Sequence, residues 1–322
     1  MTVSNAYNRP DQLSAATRSR VMAVAAELGY AGPDPTAASL RLRRTRTVGV
    51  VLTERLPYAF ADPGMVTILH GLASGLSEAG YALLLVPESG VDDDPLVRHA
   101  MVDALVLCAL PAEHPAVAAA LERQVPVVTV GNPRLPHVPR LGTDNRAATA
   151  LVARHLLDLG HRSLGFVGDV PRPVFGFASS RLRLRGVEQA LRDEGLAIRS
   201  DHLGFAEHSR QNARHSAEAI LARPDRPTAI VAASDTEAIG VLEAATALGL
   251  DVPGDVSVIG YDDVEAADFV GLTTVRQPLT ESGERAVARL QALIEGGDEA
   301  PLREVMPVAL VVRRTTGRPP AA

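Results

Sequence analysis

Seven short apolar runs recur from residue 47 onward, and the stretches between them carry helical periodicity. The runs are VGVVL (48–52), YALLLV (81–86), DALVLC (103–108), VPVVTV (125–130), SLGFVG (163–168), TAIVAAS (228–234) and VSVIGYD (256–262). They are apolar throughout rather than alternating, so each strand must be buried on both faces. That is the signature of parallel sheets covered by helices. ILHGLASGLSEAG, NRAATALVARHLLDLG, RLRGVEQALRDEG and DTEAIGVLEAATALG supply amphipathic helices between the runs. The fold class expected is α/β, doubly wound. The elements are too many for one sheet, so two similar lobes are expected, with a boundary near residues 140–145 where a second βαβ series begins.

The first 46 residues differ. Ser14 is placed to cap a helix whose apolar positions Val21, Val24, Ala25 and Leu28 fall at helical spacing before Gly29. GPDP at 32–35 breaks the chain, and Thr36 can cap a short helix after it. The net charge of the whole chain is −6, which argues against a polybasic nucleic-acid binder. Yet Arg9, Arg18, Arg20, Arg41, Arg43, Arg44 and Arg46 crowd the first 46 residues against only Asp11, Glu27 and Asp34. A basic head on an acidic body points to one segment that meets phosphates.

The sequence offers little to an enzyme. There is no lysine in the chain, hence no Walker A loop, and no G-x-G-x-x-G follows the first strand. GLASG (71–75) has its serine one place too late for a nucleophile elbow and reads as helix interior. The single cysteine, Cys108, reads as a small buried hydrophobe. VDDDP (91–95) reads as a solvated loop. His208 and His215, seven apart, read as surface polarity rather than metal ligands. No catalytic residue, metal or cofactor is expected. No apolar run approaches the ~20 residues of a membrane-spanning helix, and no secretory signal is visible, so no membrane association and a cytoplasmic location are expected.

Binding fares better. In open α/β sheets ligands sit beyond the carboxyl ends of the strands. Asp144, Ser234, Asp235 and Asp262 stand at such ends, and Arg183 begins a helix after a loop. Carboxylates and a guanidinium converging on a cleft suit a polyhydroxylated ligand. Asp144 and Asp235 read equally well as N-caps of the helices that follow.

Taken together, TVSNAYN, LSAATRSRVMAVAAELGY, AASL, TVGVVL, TDNRAATALVARHLLDLGHRSLGFVGD, SSRLRLRGVEQAL, AASDTEAIGVLEAATALGLDVPGDVSVIGYDD and LTTVRQP resemble the LacI/GalR family of bacterial transcription repressors, from residue 2 to about 316. The resemblance implies a partial helix-turn-helix head over 1–32 and a hinge helix with linker over 33–46. It further implies an N-terminal effector-binding lobe over 47–143 plus 276–305, a C-terminal lobe over 144–275 plus 306–316, and a tail over 317–322. It implies a homodimer on a near-palindromic operator and lobes shaped like periplasmic sugar-binding proteins. In the family a helix and a turn precede the recognition helix, so a start upstream of Met1 is expected. The competing expectation is a cytoplasmic sugar-binding protein that has lost its DNA role.

By the same resemblance Thr2, Val3, Ser4, Asn5 and Asn8 lie in or near the recognition helix, and Ser14 and Thr17 meet phosphate. Leu40 wedges the central minor-groove step, with Arg41 beside it. Effector contacts fall to Phe60, Asp144, Arg183, Ser234, Asp235, Asp262 and Gln277. The family's Asn-Pro-Phe-Phe is here Asp62-Pro63-Gly64-Met65, and the chain has no Trp and only 3% aromatic residues. Phe60, Phe175, Phe177 and Tyr261 are the rings available for stacking. A hexose, a smaller polyol, a pentose and a nucleoside all stay open as effectors.

Overall fold

A computed structural model describes residues 2–32, 44–52, 56–87, 94–170, 178–297 and 302–320. Leu40, Arg41 and the short helix expected after Thr36 lie outside these, as do Phe175, Phe177 and residues 91–93 of the acidic loop. The chain forms two compact units, residues 1–46 and residues 47–322.

In the first unit α1 (Thr2–Asn8) is followed by a short 3-10 turn and by α2 (Ala15–Glu27). Ser14 is the expected cap: its hydroxyl accepts from the Thr17 amide at 3.2 Å and pairs with the Thr17 hydroxyl at 2.8 Å. The two helices are in contact, and Ala6 and Ala25 are the buried apolar residues among the described residues of this unit. The Tyr7 and Tyr30 rings stand edge to face at 6.0 Å. Val3, Val24 and Leu28 remain exposed, Leu28 at 78%. Thr2 is exposed, and Ser4 and Asn5 are half-buried on the same helix.

The second unit alternates strands and helices. Its elements are β1 (Thr47–Leu52), α3 (Leu56–Ala61), α4 (Pro63–Glu78), β2 (Ala82–Val86), α5 (Pro95–His99), β3 (Ala104–Cys108), α6 (Pro115–Leu121), β4 (Val127–Val130) and β5 (Arg140–Gly142). Then come α7 (Asn145–Asp158), β6 (Leu164–Asp169), α8 (Ala178–Asp193), β7 (Leu203–Ala206), α9 (Arg210–Leu221), β8 (Ala229–Ala232), α10 (Asp235–Ala247), β9 (Ser257–Ile259), α11 (Glu265–Phe269), β10 (Thr274–Arg276), α12 (Leu279–Glu295), β11 (Arg303–Val305) and β12 (Ala309–Val311). One sheet has the order β11-β5-β4-β3-β1-β2 and another β7-β6-β8-β9, and every pairing in both is parallel. β10 and β12 form a separate antiparallel ribbon.

Each parallel sheet is covered on both faces, as the uniformly apolar runs require. Leu72, Leu76 and Val287 pack on one face of the larger sheet, and Val97, Ala116 and Ala120 on the other. Leu156, Val187 and Leu191 cover one face of the smaller sheet, and Ala217, Ile220 and Val241 the other. All seven apolar runs contain strands. β5 is the strand-like stretch expected just ahead of Asp144; β7, β10, β11 and β12 were not expected from the sequence. These are three or four residues long and several mix polar with apolar positions, so they carry no usable period.

The helix pairs cross with backbones in close contact. A Cβ on Gly71 of α4 would overlap the carbonyl of Thr280 in α12, and one on Gly186 of α8 would overlap the Arg146 carbonyl and the Thr149 hydroxyl of α7. Neither glycine has room for a methyl group, because the neighbour is main chain and cannot rotate away. Gly71→Ala is therefore expected to force α4 from α12 and destabilise the second unit by about 1–3 kcal/mol, the usual cost of overpacking. Chemical denaturation should show this as a lower midpoint with an unchanged slope; an unshifted midpoint would mean that the crossing relaxes freely.

Candidate functional site

The carboxyl ends of strands from both parallel sheets of the second unit face one cavity of about 140 Å³. Cys108 ends β3, Thr143 follows β5, Asp169 ends β6, Ser234 follows β8 and Asp262 follows β9; all five line it.

Arg183 is the centre of its hydrogen bonding. It stands in the second turn of α8, close to the crossing that Gly186 permits, and Thr149 of α7 donates to its carbonyl at 2.7 Å. The Arg183 side chain is 11% exposed. Its Nε donates to Asn145 Oδ1 at 2.9 Å, one Nη donates to the Ala233 carbonyl, and the other lies 3.5 Å from Asp262 Oδ1. The guanidinium also covers the Tyr261 ring, 3.7 Å from its centroid. A buried arginine is tolerable when its planar donors are used in this way.

Asp262 is held as firmly. Asp262 and Asp263 both have positive φ, 119° and 60°, which is costly for residues other than glycine. The strain is locked in by the Asp262 amide bonding the Val275 carbonyl at 2.9 Å and by Asp263 pairing with Arg276 and Arg313. The result aims the Asp262 carboxylate into the cavity. Gln277 Nε2 donates to it at 2.6 Å, and Thr143 donates to Gln277 Oε1 at 2.8 Å. Burial pushes the Asp262 pKa up to about 6, against the pull of Arg183 and with the help of Asp62.

A second cluster contradicts the surface reading of His208. This residue lines the cavity with its side chain 11% exposed, and its Nδ1 lies 3.2 Å from Asp169 Oδ1 and 3.9 Å from Glu237 Oε1. Burial pulls its pKa down, but Asp169, Glu237 and Asp62 outweigh that and raise it to about 9. Burial, then Asp169, raises Glu237 to about 8. Donor atoms of Asp169, His208 and Glu237 all lie within 4.8 Å of one another, close enough to hold a metal ion. The missed signal was β7: once LGFA is a strand, His208 follows its carboxyl end, just before the Ser209 cap of α9.

The other expected contacts divide. Ser234 and Gln277 line the cavity with Arg183 and Asp262. The Ser234 hydroxyl caps α10 at the Glu237 amide and donates to the Glu237 carboxylate at 3.0 Å. Asp235 does not line the cavity. It is fully buried behind the wall, accepting from the Val264 amide at 2.9 Å and the Thr274 hydroxyl at 2.5 Å. Burial, then Asp262, raises its pKa to about 8. Asp144 is exposed and caps α7 at the Ala147 amide, while its neighbours Thr143 and Asn145 line the cavity. Phe60 is 61% exposed on α3 and is not among the lining residues. Tyr261 offers no stacking face, because Arg183 covers it. Cys108 lines the cavity, and burial holds its thiol up at about 12, far from a reactive thiolate.

Asp235, Glu237, Asp262 and His208 all have folded pKa values above their ordinary 3.8, 4.5, 3.8 and 6.5. Folding therefore favours the protonated form of each. That stability is present at low pH and lost as pH rises through the folded values. The thermal midpoint of the second unit should fall from about pH 5 to about pH 9. Glu237→Gln should flatten the part of the fall below about pH 8, and calorimetry showing the wild-type slope in that variant would contradict the assignment.

The periplasmic binding protein-like domain family matches residues 153–316. An HTH-type transcriptional regulator of Mycolicibacterium smegmatis is 37% identical, the match covering 99% of this chain and 93% of that protein. A crystal structure of a LacI-family transcriptional regulator from Corynebacterium glutamicum superposes with a TM-score of 0.74 at 31% identity, covering 98% of this chain and 94% of the other. The complex of the regulator CelR with cellobiose superposes with a TM-score of 0.75 at 29% identity, covering 97% and 94%. With strand-end polar residues gathered on one cavity between two parallel sheets, and a helical unit preceding them, the chain belongs to the LacI family of HTH-type transcriptional regulators.

Proposed function

We propose that the chain is a ligand-controlled DNA-binding repressor whose effector is a sugar or a related small polyol. The observation that carries the ligand half is the buried chain Thr143–Gln277–Asp262–Arg183, strained at Asp262 and facing the cavity. Strained, desolvated polar groups are held in place at a cost to stability, which suits preorganised recognition. Alternating acceptors and donors match ligand hydroxyls, which do both.

The DNA half rests on the family and on the head. Thr2, Val3, Ser4, Asn5 and Asn8 present the recognition helix to a major groove, and Ser14 and Thr17 meet phosphate at the start of α2. Leu40 and Arg41 act in the hinge, at the minor groove and its phosphates. The protein works as a homodimer on a near-palindromic operator in the cytoplasm. The lobes, 47–143 with 276–305 and 144–275 with 306–316, change their relative angle when effector binds, and residues 33–46 carry that change to the head. Coupling of this kind is reciprocal: an effector that weakens operator binding is itself weakened by operator.

Arg183→Ala is expected to abolish effector-induced release of operator while leaving DNA affinity within about twofold. Fluorescence anisotropy on operator DNA, with a thermal scan to verify folding, reads both. Gln277→Ala removes one hydrogen-bonding partner and should weaken effector about tenfold, corresponding to ~1.4 kcal/mol. Wild-type release by Arg183→Ala would remove the cavity from the mechanism. Ligand binding without specific operator protection would leave only the ligand-binding reading.

A further inference from the structure

Asp169, His208 and Glu237 come from three separate elements and meet at the wall of the cavity. Asp169 ends β6, and its amide donates to the Ser180 hydroxyl of α8 at 3.0 Å. The parallel pairing of β6 with β7 runs up to Asp169 and Ala206, which brings the chain that follows β7, and with it His208, alongside. Glu237 stands in the first turn of α10. Asp169 and His208 line the cavity, and Glu237 lies just behind them with its side chain 2% exposed. The Thr143–Gln277–Asp262–Arg183 chain is built from other residues.

The donor atoms have the spacing of a coordination shell. His208 Nδ1 lies 3.2 Å from Asp169 Oδ1 and 3.9 Å from Glu237 Oε1, and one donor atom from each residue falls within 4.8 Å of the others. An ion bonded at about 2.1 Å to nitrogen and oxygen holds adjacent ligands roughly 3 Å apart and opposite ones roughly 4 Å apart. The Glu237 carboxylate is divided between two tasks. Its Oε2 accepts from the Ser234 hydroxyl at 3.0 Å, and its Oε1 faces His208. A hydrogen bond of that kind fixes the orientation of a ligating carboxylate.

The charges give an independent reason. Asp169 and Glu237 are nearly buried, and among the described residues His208 is the one cationic group within ion-pairing distance of either. Arg183 is turned instead to Asp262 and to the Ala233 carbonyl. Two buried carboxylates therefore share one imidazole, and Asp62 adds negative charge from the cap of α4. Buried carboxylates are normally paired or bound to metal. A divalent ion among the three side chains would supply the missing positive charge.

We propose that Asp169, His208 and Glu237 form a binding site for one divalent first-row transition-metal ion of the Zn²⁺ or Mn²⁺ kind. One imidazole nitrogen and two carboxylate oxygens suit these ions, whereas Mg²⁺ and Ca²⁺ prefer oxygen alone. Binding displaces the proton between His208 Nδ1 and Asp169 Oδ1. Three protein ligands leave coordination positions open, and these face the cavity, because Glu237 lies behind the wall while Asp169 and His208 form it. The site is defined by these side chains alone, so it stands whether or not the cavity takes an effector.

The test is calorimetry on the untagged full chain, stripped with EDTA and desalted, with Zn²⁺, Mn²⁺, Mg²⁺ and Ca²⁺ titrated singly and no effector present. One equivalent of Zn²⁺ should bind, more tightly than Mn²⁺ and far more tightly than Mg²⁺ or Ca²⁺. It should also raise the thermal midpoint. His208→Gln and Glu237→Gln should each weaken Zn²⁺ by at least about tenfold. His215→Gln, at an exposed histidine, should bind Zn²⁺ as the wild type does. Anomalous diffraction from wild-type crystals grown with Zn²⁺ locates the ion without any variant, so the site is tested even where a variant fails to fold. A single peak within about 2.3 Å of all three side chains is expected.

Zn²⁺ binding that is absent, or equal in the wild type and both variants, overturns the proposal. So does a peak held by other side chains, and so does Mg²⁺ binding as tightly as Zn²⁺.

Discussion

A parallel strand packed on both faces has nowhere along its length to keep a charge. Its amides and carbonyls are consumed by the neighbouring strands, and its side chains enter apolar cores on both sides. Polar and charged side chains can therefore gather only where the strands stop. In this protein the strands of two such sheets stop at a common space, and the polar residues that end or follow β5, β6, β8, β9 and β10 line it. The site follows from this constraint, since the same burial that stabilises the sheets drives the unpairable chemistry to their carboxyl ends.

Holding that chemistry in place costs stability. Asp262 accepts a strained backbone, Arg183 a nearly full desolvation, and Glu237 a carboxyl kept partly protonated by its surroundings. The helix crossings offset part of this. Gly71 and Gly186 let α4 meet α12 and α7 meet α8 at backbone distance, which keeps the cavity walls from yielding. The second crossing matters directly, because Arg183 lies one turn from Gly186 and its own carbonyl is bonded by Thr149 of the partner helix. A rigid wall of oriented donors and acceptors is what a ligand can meet without reorganising it.

The head unit obeys different rules. Two short helices bury only small side chains against each other, and Val3, Val24 and Leu28 stay exposed. So small a unit gains little from its own core. Contact with a partner surface then contributes relatively more to its order than it does for the residues 47–322.

The sequence alone determined the fold class, because seven apolar runs cannot be buried in any other way, and it determined the Ser14 cap and the candidacy of Arg183, Ser234, Asp262 and Gln277. Ser14, Arg183, Ser234 and Asp262 carry a local signal at a cap, a helix start or a strand end, whereas the candidacy of Gln277 comes only from the family resemblance. Only the tertiary structure decided which neighbours face inward. Asp235 and Ser234 are adjacent, yet one braces Thr274 behind the wall while the other lines the cavity. Tyr261 looked like a stacking ring until Arg183 was found over it. His208 looked like surface polarity because β7 is too short to show a period, and because the carboxylates that hold it come from residues 39 positions before and 29 after. Such a charge is set by distance in space, which a linear pattern does not encode.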